Sequence, residues 1–220
     1  MRRLLAATRN ADKLREIREI LRSIPRLEVI DLVAAGIAPE GDEDGIEVFD
    51  TFEANAVAKA RYFADRSDLP VLADDSGLCV DALAGAPGVH SKRFSARDDL
   101  SGRALDAANN SYLLHRLRGV PSSQRTGQYV CVVALSRGTA VESTFRGQCS
   151  GTILEVPKGE GGFGYDPLFQ PDGELVTFGE LPPRRKNRIS HRARALRAAE
   201  ILLRAGWPAS DPVDSVSHIR

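Results

Sequence analysis

The chain has 220 residues, 42% hydrophobic and 27% charged, a composition that excludes wholesale disorder. Thirty basic side chains balance thirty acidic ones, so net charge gives no reason to expect a nucleic-acid-wrapping surface. No run approaches the ~18 apolar residues of a membrane span, and Cys79, Cys131 and Cys149, odd in number and without a CxxC, suggest neither a disulfide framework nor a zinc site. A reduced, cytoplasmic protein is expected, and any metal should be a hard cation held by oxygen.

Arg3–Ala7 reads as a first strand, too short for a signal-peptide core of ~7–15 apolar residues, and it ends in the polar turn Thr8-Arg9-Asn10. Leu14, Ile17, Leu21 and Ile24 recur at helical spacing until Pro25 stops them. Leu27–Leu32 is expected as a second strand. An acid-rich loop follows over Gly36–Asp50, with Glu40, Asp42, Glu43, Asp44, Glu47 and Asp50. Asp50 and Glu53 stand in capping-box spacing before a helix whose apolar stripe is Phe52, Ala56, Ala60 and Phe63. Pro70–Ala73 is a short buried strand running into Asp74-Asp75-Ser76-Gly77. A third helix is expected over about Ser101–Leu117, with Leu105, Leu113 and Leu117 inward. Tyr129–Leu135 and Val141–Gln148 read as a hairpin around Arg137-Gly138-Thr139. Leu168–Gln170 reads as a further strand, and about Ser190–Ala205 as a last helix closed by Gly206. The alternation argues for an α/β fold. Residues 1–207 are expected to form one two-lobed domain, and Pro208–Arg220 a loose tail.

Five places collect polar residues that structure alone does not require. In Thr8-Arg9-Asn10-Ala11-Asp12-Lys13 a lysine enters the first turn of a helix. There it opposes the helix dipole unless an anion lies between; a capped helix with a solvated lysine is the alternative. Asn55 and Lys59, four apart, share a helix face behind Glu47. Asp74 and Asp75 are adjacent carboxylates that repel unless a cation or proton compensates, so a Mg²⁺ site competes with a plain Asp-rich turn. Gly161-Gly162-Phe163-Gly164-Tyr165-Asp166 combines close backbone approach with aromatic faces for stacking a base, or is a bulged loop packing Phe163 into the core. Arg184–Arg197 holds seven Lys/Arg, His191 and no acid. Lys186, His191 and Arg192 can face inward there, against the alternatives of a solvated face or a nucleic-acid patch.

Taken in order, these blocks resemble the inosine triphosphate pyrophosphatase family. The matching stretches are Ala7-Thr8-Arg9-Asn10 with Lys13, Thr51-Phe52-Glu53-Ala54-Asn55-Ala56 with Lys59-Ala60, and Ala73 through Leu78. Gly85 through Ser95, Gly161 through Phe169, and Lys186 with Ser190-His191-Arg192 complete the set. Arg9 replaces a small residue of the family turn, and His90 stands where tyrosine is more usual. The resemblance implies a long curved mixed sheet with flanking helices, two lobes around a nucleotide-binding cleft, and a homodimer. It also implies Mg²⁺-dependent cleavage of non-standard purine nucleoside triphosphates (ITP, dITP, XTP) to monophosphate and pyrophosphate; the balanced charge and the lack of a long apolar run add the expectation of no nucleic-acid or membrane partners.

By the same resemblance, Asp75 is general base and metal ligand, and Glu47 completes the metal site. Lys13, Lys59 and Lys186 neutralise phosphates, while Thr8, Asn10 and Ser76 bond them. Arg9, Ala11, Asp12, Asn55, Gly164 and Tyr165 line the substrate site. Phe163 stacks on the purine, with Asp166, His191 and Arg192 at its edge. An orthophosphate-releasing nucleotide hydrolase and a non-catalytic nucleotide or RNA sensor are the rival readings. The Asp74-Asp75 pair argues against the sensor, since a pure anion binder gains nothing from carboxylates near phosphate.

Overall fold

The computed structural model describes residues 1–41, 43–138 and 140–207. Its strands are β1 (Arg2–Ala6), β2 (Leu27–Ile30), β3 (Val71–Val80), β4 (Thr126–Arg137), β5 (Ala140–Ile153) and β6 (Phe169–Pro171). They form one six-stranded sheet in the order β2-β1-β3-β4-β5-β6. The β2-β1-β3 half is parallel and the β3-β4-β5-β6 half antiparallel. Parallel neighbours need a crossover. The helices α1 (Ala11–Leu21) and α2 (Phe52–Ala64) supply it, while the antiparallel neighbours β4 and β5 need none. The mixed sheet with flanking helices agrees with the fold class expected above.

The period of two along β3 divides the core. Leu72 joins Ile17, Leu21, Cys131, Val133 and Leu196, on the side of α1 and of α5 (His191–Arg204). Val71 and Ala73 join Ala56, Ala60, Val130 and Val132 on the α2 side. A third cluster gathers Leu113 and Leu117, from α3 (Gly102–Arg116) and its end, against Leu78, Tyr129, Phe169 and Phe178. Leu105 is only half-buried.

Several boundaries differ from the sequence expectation. β3 does not end at Ala73 but runs to Val80; what ends is its pairing with β1, at Leu72. From there β3 continues as a partner of β4, so Asp74 and Asp75 lie inside a strand, just beyond the last parallel pair. The cap of α2 is Thr51, whose hydroxyl accepts from the Ala54 amide at 3.1 Å. Glu53 instead accepts from the Thr144 hydroxyl at 2.9 Å and Ala54 stands three residues after the cap, so the cap is one-sided and the expected capping box is not formed. β4 and β5 extend past both ends of the expected hairpin. An additional helix, α4 (Pro183–Ile189), precedes the expected last helix. Pro183 stands at its first position, where a missing N–H costs nothing. Asp42, Thr139 and the tail from Pro208 lie outside the described residues.

Candidate active site

β1 ends one turn before α1, and this turn forms one wall. The Asn10 side chain accepts from the Asp12 and Lys13 amides, both at 2.9 Å. The Thr8 hydroxyl accepts from the Asn10 amide at 3.2 Å. Asn10 thus caps the helix, and Lys13 is left to face β3, its Nζ 3.3 Å from Asp74 Oδ2. Ala11 is exposed and Asp12 pairs with Arg15 at 2.5 Å. Arg9 turns away from this wall. Its guanidinium binds Glu43 at 2.6 Å and donates to the Ile37 and Ala38 carbonyls at 2.9 and 2.8 Å.

β3 presents its two carboxylates to opposite faces, as strand alternation requires. Asp74 faces α1 and α5. Its Oδ2 accepts from Arg192 Nη2 at 3.1 Å and Nε at 3.3 Å, while the buried Oδ1 has no protein partner. Burial opposes its charge, but Lys13, Arg192 and Lys59 outweigh burial and hold the carboxyl far below its usual range. Asp75 faces α2. Burial, with Glu47 adding repulsion, pushes it up to about 6 despite Lys13 and Lys59. The Ser76 amide donates to Asp75 Oδ1 at 2.8 Å, and Asn55 Nδ2 to Oδ2 at 3.0 Å. Ser76 Oγ accepts from Arg192 at 2.8 Å.

Lys59 pairs with Glu47 and donates to the Asp74 carbonyl at 2.9 Å. Burial disfavours its charge, yet Glu47 and Asp74 raise it above the ordinary lysine value. Glu47 in turn is buried against its charge and lowered by Lys59 and Lys13. The structure therefore brings Lys13, Asp74, Asp75, Lys59, Glu47 and Asn55 into one cluster. Among the described residues no group of three or more His, Cys, Asp or Glu side chains is arranged to hold a metal by itself.

The aromatic loop forms the opposite end. Gly162 has φ +70, and a Cβ there would meet Asp166 Oδ2 at 2.0 Å, so only glycine lets Asp166 fold back beneath the loop. Asp166 accepts from the Phe163 amide at 2.8 Å and pairs with buried Lys186 of α4. Lys186 Nζ sits 4.6 Å from the Phe163 ring centroid. Burial works against its charge, but Asp166 and Glu16 raise it. The Gly164 amide donates to Asp106 at 2.8 Å, Asn110 donates to the Gly164 carbonyl at 3.0 Å, and the Tyr165 hydroxyl donates to the Ser91 carbonyl at 2.8 Å.

α5 reaches the site because Gly147 of β5 lets it approach: a Cβ there would meet the His191 carbonyl at 2.1 Å. His191 stacks on Tyr129, centroids 4.5 Å apart, and its buried Nδ1 has no partner. Burial, then the charges of Arg192 and Lys186, keep the imidazole neutral. Arg192 is held by Glu16, Asp74 and Ser76.

Glu16, Asp106, Asn110 and Tyr129 were not anticipated. Glu16 had a readable signal: it lies three residues after Lys13 on the same helix face, beside buried Ile17. The others act across long sequence separations that no local pattern marks.

A turn carrying a lysine at the end of parallel strands, two carboxylates in different charge environments, and basic side chains from two C-terminal helices define an α/β protein built to hold a multiply charged anion. The model of the Ham1 family matches residues 4–201, and the chain belongs to that family. It is 47% identical to a dITP/XTP pyrophosphatase of Geobacter sulfurreducens, over 89% of this chain and 94% of that protein. A dITP/XTP pyrophosphatase of Nocardia farcinica is also 47% identical, over 90% and 92% respectively. Among solved structures, a HAM1 protein from Coxiella burnetii superposes with a TM-score of 0.78 at 35% identity, covering 92% of this chain and 98% of that one. The family resemblance drawn from the sequence blocks is thereby borne out.

Proposed function

We propose that this chain hydrolyses non-standard purine nucleoside triphosphates (ITP, dITP and XTP) to the nucleoside monophosphate and pyrophosphate, clearing them from the nucleotide pool. The observation that carries the reading is the divergence of Asp74 and Asp75, one held firmly charged among cations and the other pushed up to about 6. Paired titratable groups driven apart in this way mark acid–base assignments. The activity named for the relatives above supports the same reading.

Asp75 is the general base: near neutral pH it is ionised yet basic enough to accept a proton from the attacking water. Lys13 and Lys59 place positive charge where the phosphate oxygens gather charge in the transition state. Asp74 holds Lys13 and Arg192 in place, and Thr8, Asn10 and Ser76 line the phosphate end. The residues present fit Mg²⁺. Glu47 and Asp75 are hard oxygen donors whose mutual repulsion a divalent cation relieves. These two would hold the ion, which when bound neutralises phosphate charge.

At the other end Phe163 stacks on the purine. Four of the five Arg192 N–H groups are committed to Glu16, Asp74 and Ser76, which leaves one for the base carbonyl at position 6, beside neutral His191. Adenine offers an amine at that position, so a buried donor goes unpaired. We further propose a cytoplasmic homodimer whose residues 1–207 form one domain, with the substrate in a cleft between its lobes. Balanced charge supports action on free nucleotides, without nucleic-acid or membrane partners. Among the described residues no helix is long and apolar enough to cross a membrane. The test is a panel of nucleoside triphosphates with Mg²⁺, reading both products. Pyrophosphate release confined to the 6-carbonyl purines other than GTP is expected; orthophosphate release, or equal turnover of ATP, overturns the reading.

A further inference from the structure

We infer that Asn55 is a positioning residue that locks the segment carrying Glu47 and the Asp75 carboxylate into a single unit. The inference rests on the roles just given to Glu47 and Asp75. Asn55 stands in the first turns of α2 and is 1% exposed. Its Oδ1 accepts from the Phe49 amide at 2.9 Å. Its Nδ2 donates to the Phe49 carbonyl at 3.1 Å and to Asp75 Oδ2 at 3.0 Å. A side-chain amide has two N–H groups, and both are used here. No donor remains for a substrate, so the contact expected of Asn55 from the sequence gives way to an internal one.

The clamp acts on both sides. Phe49 follows Glu47 by two residues and is 48% exposed, yet its N–H and C=O are both fixed by one buried side chain. On β3, Asn55 holds one oxygen of Asp75 while the Ser76 amide holds the other, which sets the plane of the carboxylate. Glu47 and Asp75 repel each other and sit on different elements, so their convergence must be imposed by bonds of this kind. A ligand held by a well-placed outer partner loses roughly 10–100-fold in metal affinity or activity when that partner is removed.

Asn55→Asp is nearly isosteric, keeps an oxygen for the Phe49 amide and replaces the donor facing Asp75 by a charge. Asn55→Ser is the uncharged counterpart. Four quantities are measured: kcat and KM for ITP, Mn²⁺ affinity of the nucleotide-free protein by calorimetry, and melting temperature. In Asn55→Ser both kcat and Mn²⁺ affinity should fall roughly 10–100-fold with KM for ITP little changed, whereas Asn55→Asp, which adds a third carboxylate beside Glu47 and Asp75, should lower kcat without lowering Mn²⁺ affinity. A merely structural role lowers only the melting temperature, and a folded variant with wild-type kcat and Mn²⁺ affinity overturns the inference. Hydrogen exchange on the unmodified protein needs no variant: the Phe49 amide should be protected despite its exposed side chain, and exchange as fast as an open loop also overturns it. Asp75→Asn, run in parallel, separates the two levels. If Asp75→Asn still turns over, the reading of the site fails. If it is inactive while the Asn55 variants behave as wild type, the clamp alone fails.

Discussion

Replacing Asp75 by Asn should stabilise the protein while removing its turnover. Burial lifts the Asp75 carboxyl from an ordinary 3.8 to about 6, so ionising it in the folded protein is costly. Roughly two pH units at ~1.36 kcal/mol each amounts to about 3 kcal/mol of destabilisation at neutral pH. The replacing amide has one carbonyl but meets two donors, Asn55 Nδ2 and the Ser76 amide, and this mismatch costs about 1–2 kcal/mol. A net gain of about 1–2 kcal/mol remains, or roughly 2–8 °C in melting temperature for a chain of this size. The pH dependence follows from the raised value. Below about 4 both folded and unfolded wild type are protonated at this position, the ionisation penalty is absent, and the mismatch leaves the variant about 1–2 kcal/mol the less stable. As pH rises from about 4 to 6 the unfolded chain ionises first, so the wild type loses stability relative to the variant; above about 6 the gap is constant. Thermal melts of both proteins without Mg²⁺ at pH 7.5, 6 and 4.5 measure it, and added Mg²⁺ should raise the wild type selectively. Turnover of ITP should fall by roughly 10²–10⁴-fold. A variant that melts at or below wild type at pH 7.5, or a gap that does not close toward pH 4.5, would refute the reasoning.

Arg192→Ala should lower the ITP/ATP ratio of kcat/KM by roughly 10–100-fold, the value of a charged hydrogen bond of ~1.5–3 kcal/mol. It should also destabilise the fold by about 3–5 kcal/mol, because Glu16 and Asp74 are left buried; equal losses for ITP and ATP would move base reading to the Phe163–Asp166 loop. Arg9→Ala releases the loop it fastens, so limited proteolysis should open that loop first, and the pair Arg9→Glu with Glu43→Arg should restore resistance only in part, because a glutamate at position 9 has no donor for the Ile37 and Ala38 carbonyls. Gly162→Ala should raise KM for ITP with little change in kcat at saturation, since its Cβ displaces Asp166 at the base end and leaves Asp75 untouched; side-by-side KM and kcat measurements decide.

Much of the fold was legible because it rests on short-range signals. Leu14, Ile17 and Leu21 at helical spacing gave α1, the apolar run at Val71 placed the start of β3, and Ser190 announced α5 as its cap, accepting from the Ala193 amide at 3.2 Å. The length of β3 was not legible. Asp74-Asp75-Ser76-Gly77 reads as a turn, and only the pairing with β4, from Val71–Ser136 to Val80–Gly127, keeps it extended. Tertiary hydrogen bonding overrode local preference there. At the site, residue types showed which groups carry charge but not which neighbour each one meets. Arg9 was expected to line the substrate site and instead fastens a loop. Asn55 was placed at the substrate and instead joins two elements. Both assignments depend on contacts twenty or more residues away, Arg9 to Glu43 and Asn55 to Asp75.

The charges between the two ends of the site alternate without a break: Asp166, Lys186, Glu16, Arg192, Asp74, Lys13. Three carboxylates meet three cations, so the row is neutral, and all but Lys13 are buried. Such a row is a poor source of stability, since desolvating five charges offsets most of their attraction and an apolar core of equal volume would do as well or better. Its worth lies in placement. Each of Lys186, Arg192 and Asp74 is gripped from two sides, so none has to reorganise when a substrate arrives, and preorganised charge stabilises a transition state without that cost. The same neutrality sharpens choice among substrates. Cations already satisfied by the protein attract any nucleotide only weakly, and a ligand gains most where a group still lacks a partner. Among the described residues, the buried atoms of the row and its neighbour that lack a partner are Asp74 Oδ1, an acceptor that only a donor or a cation can answer, and His191 Nδ1. On the function proposed above, selectivity then depends on a ligand that answers both ends at once: a charged phosphate tail at Lys13 and a base edge at His191 and Arg192.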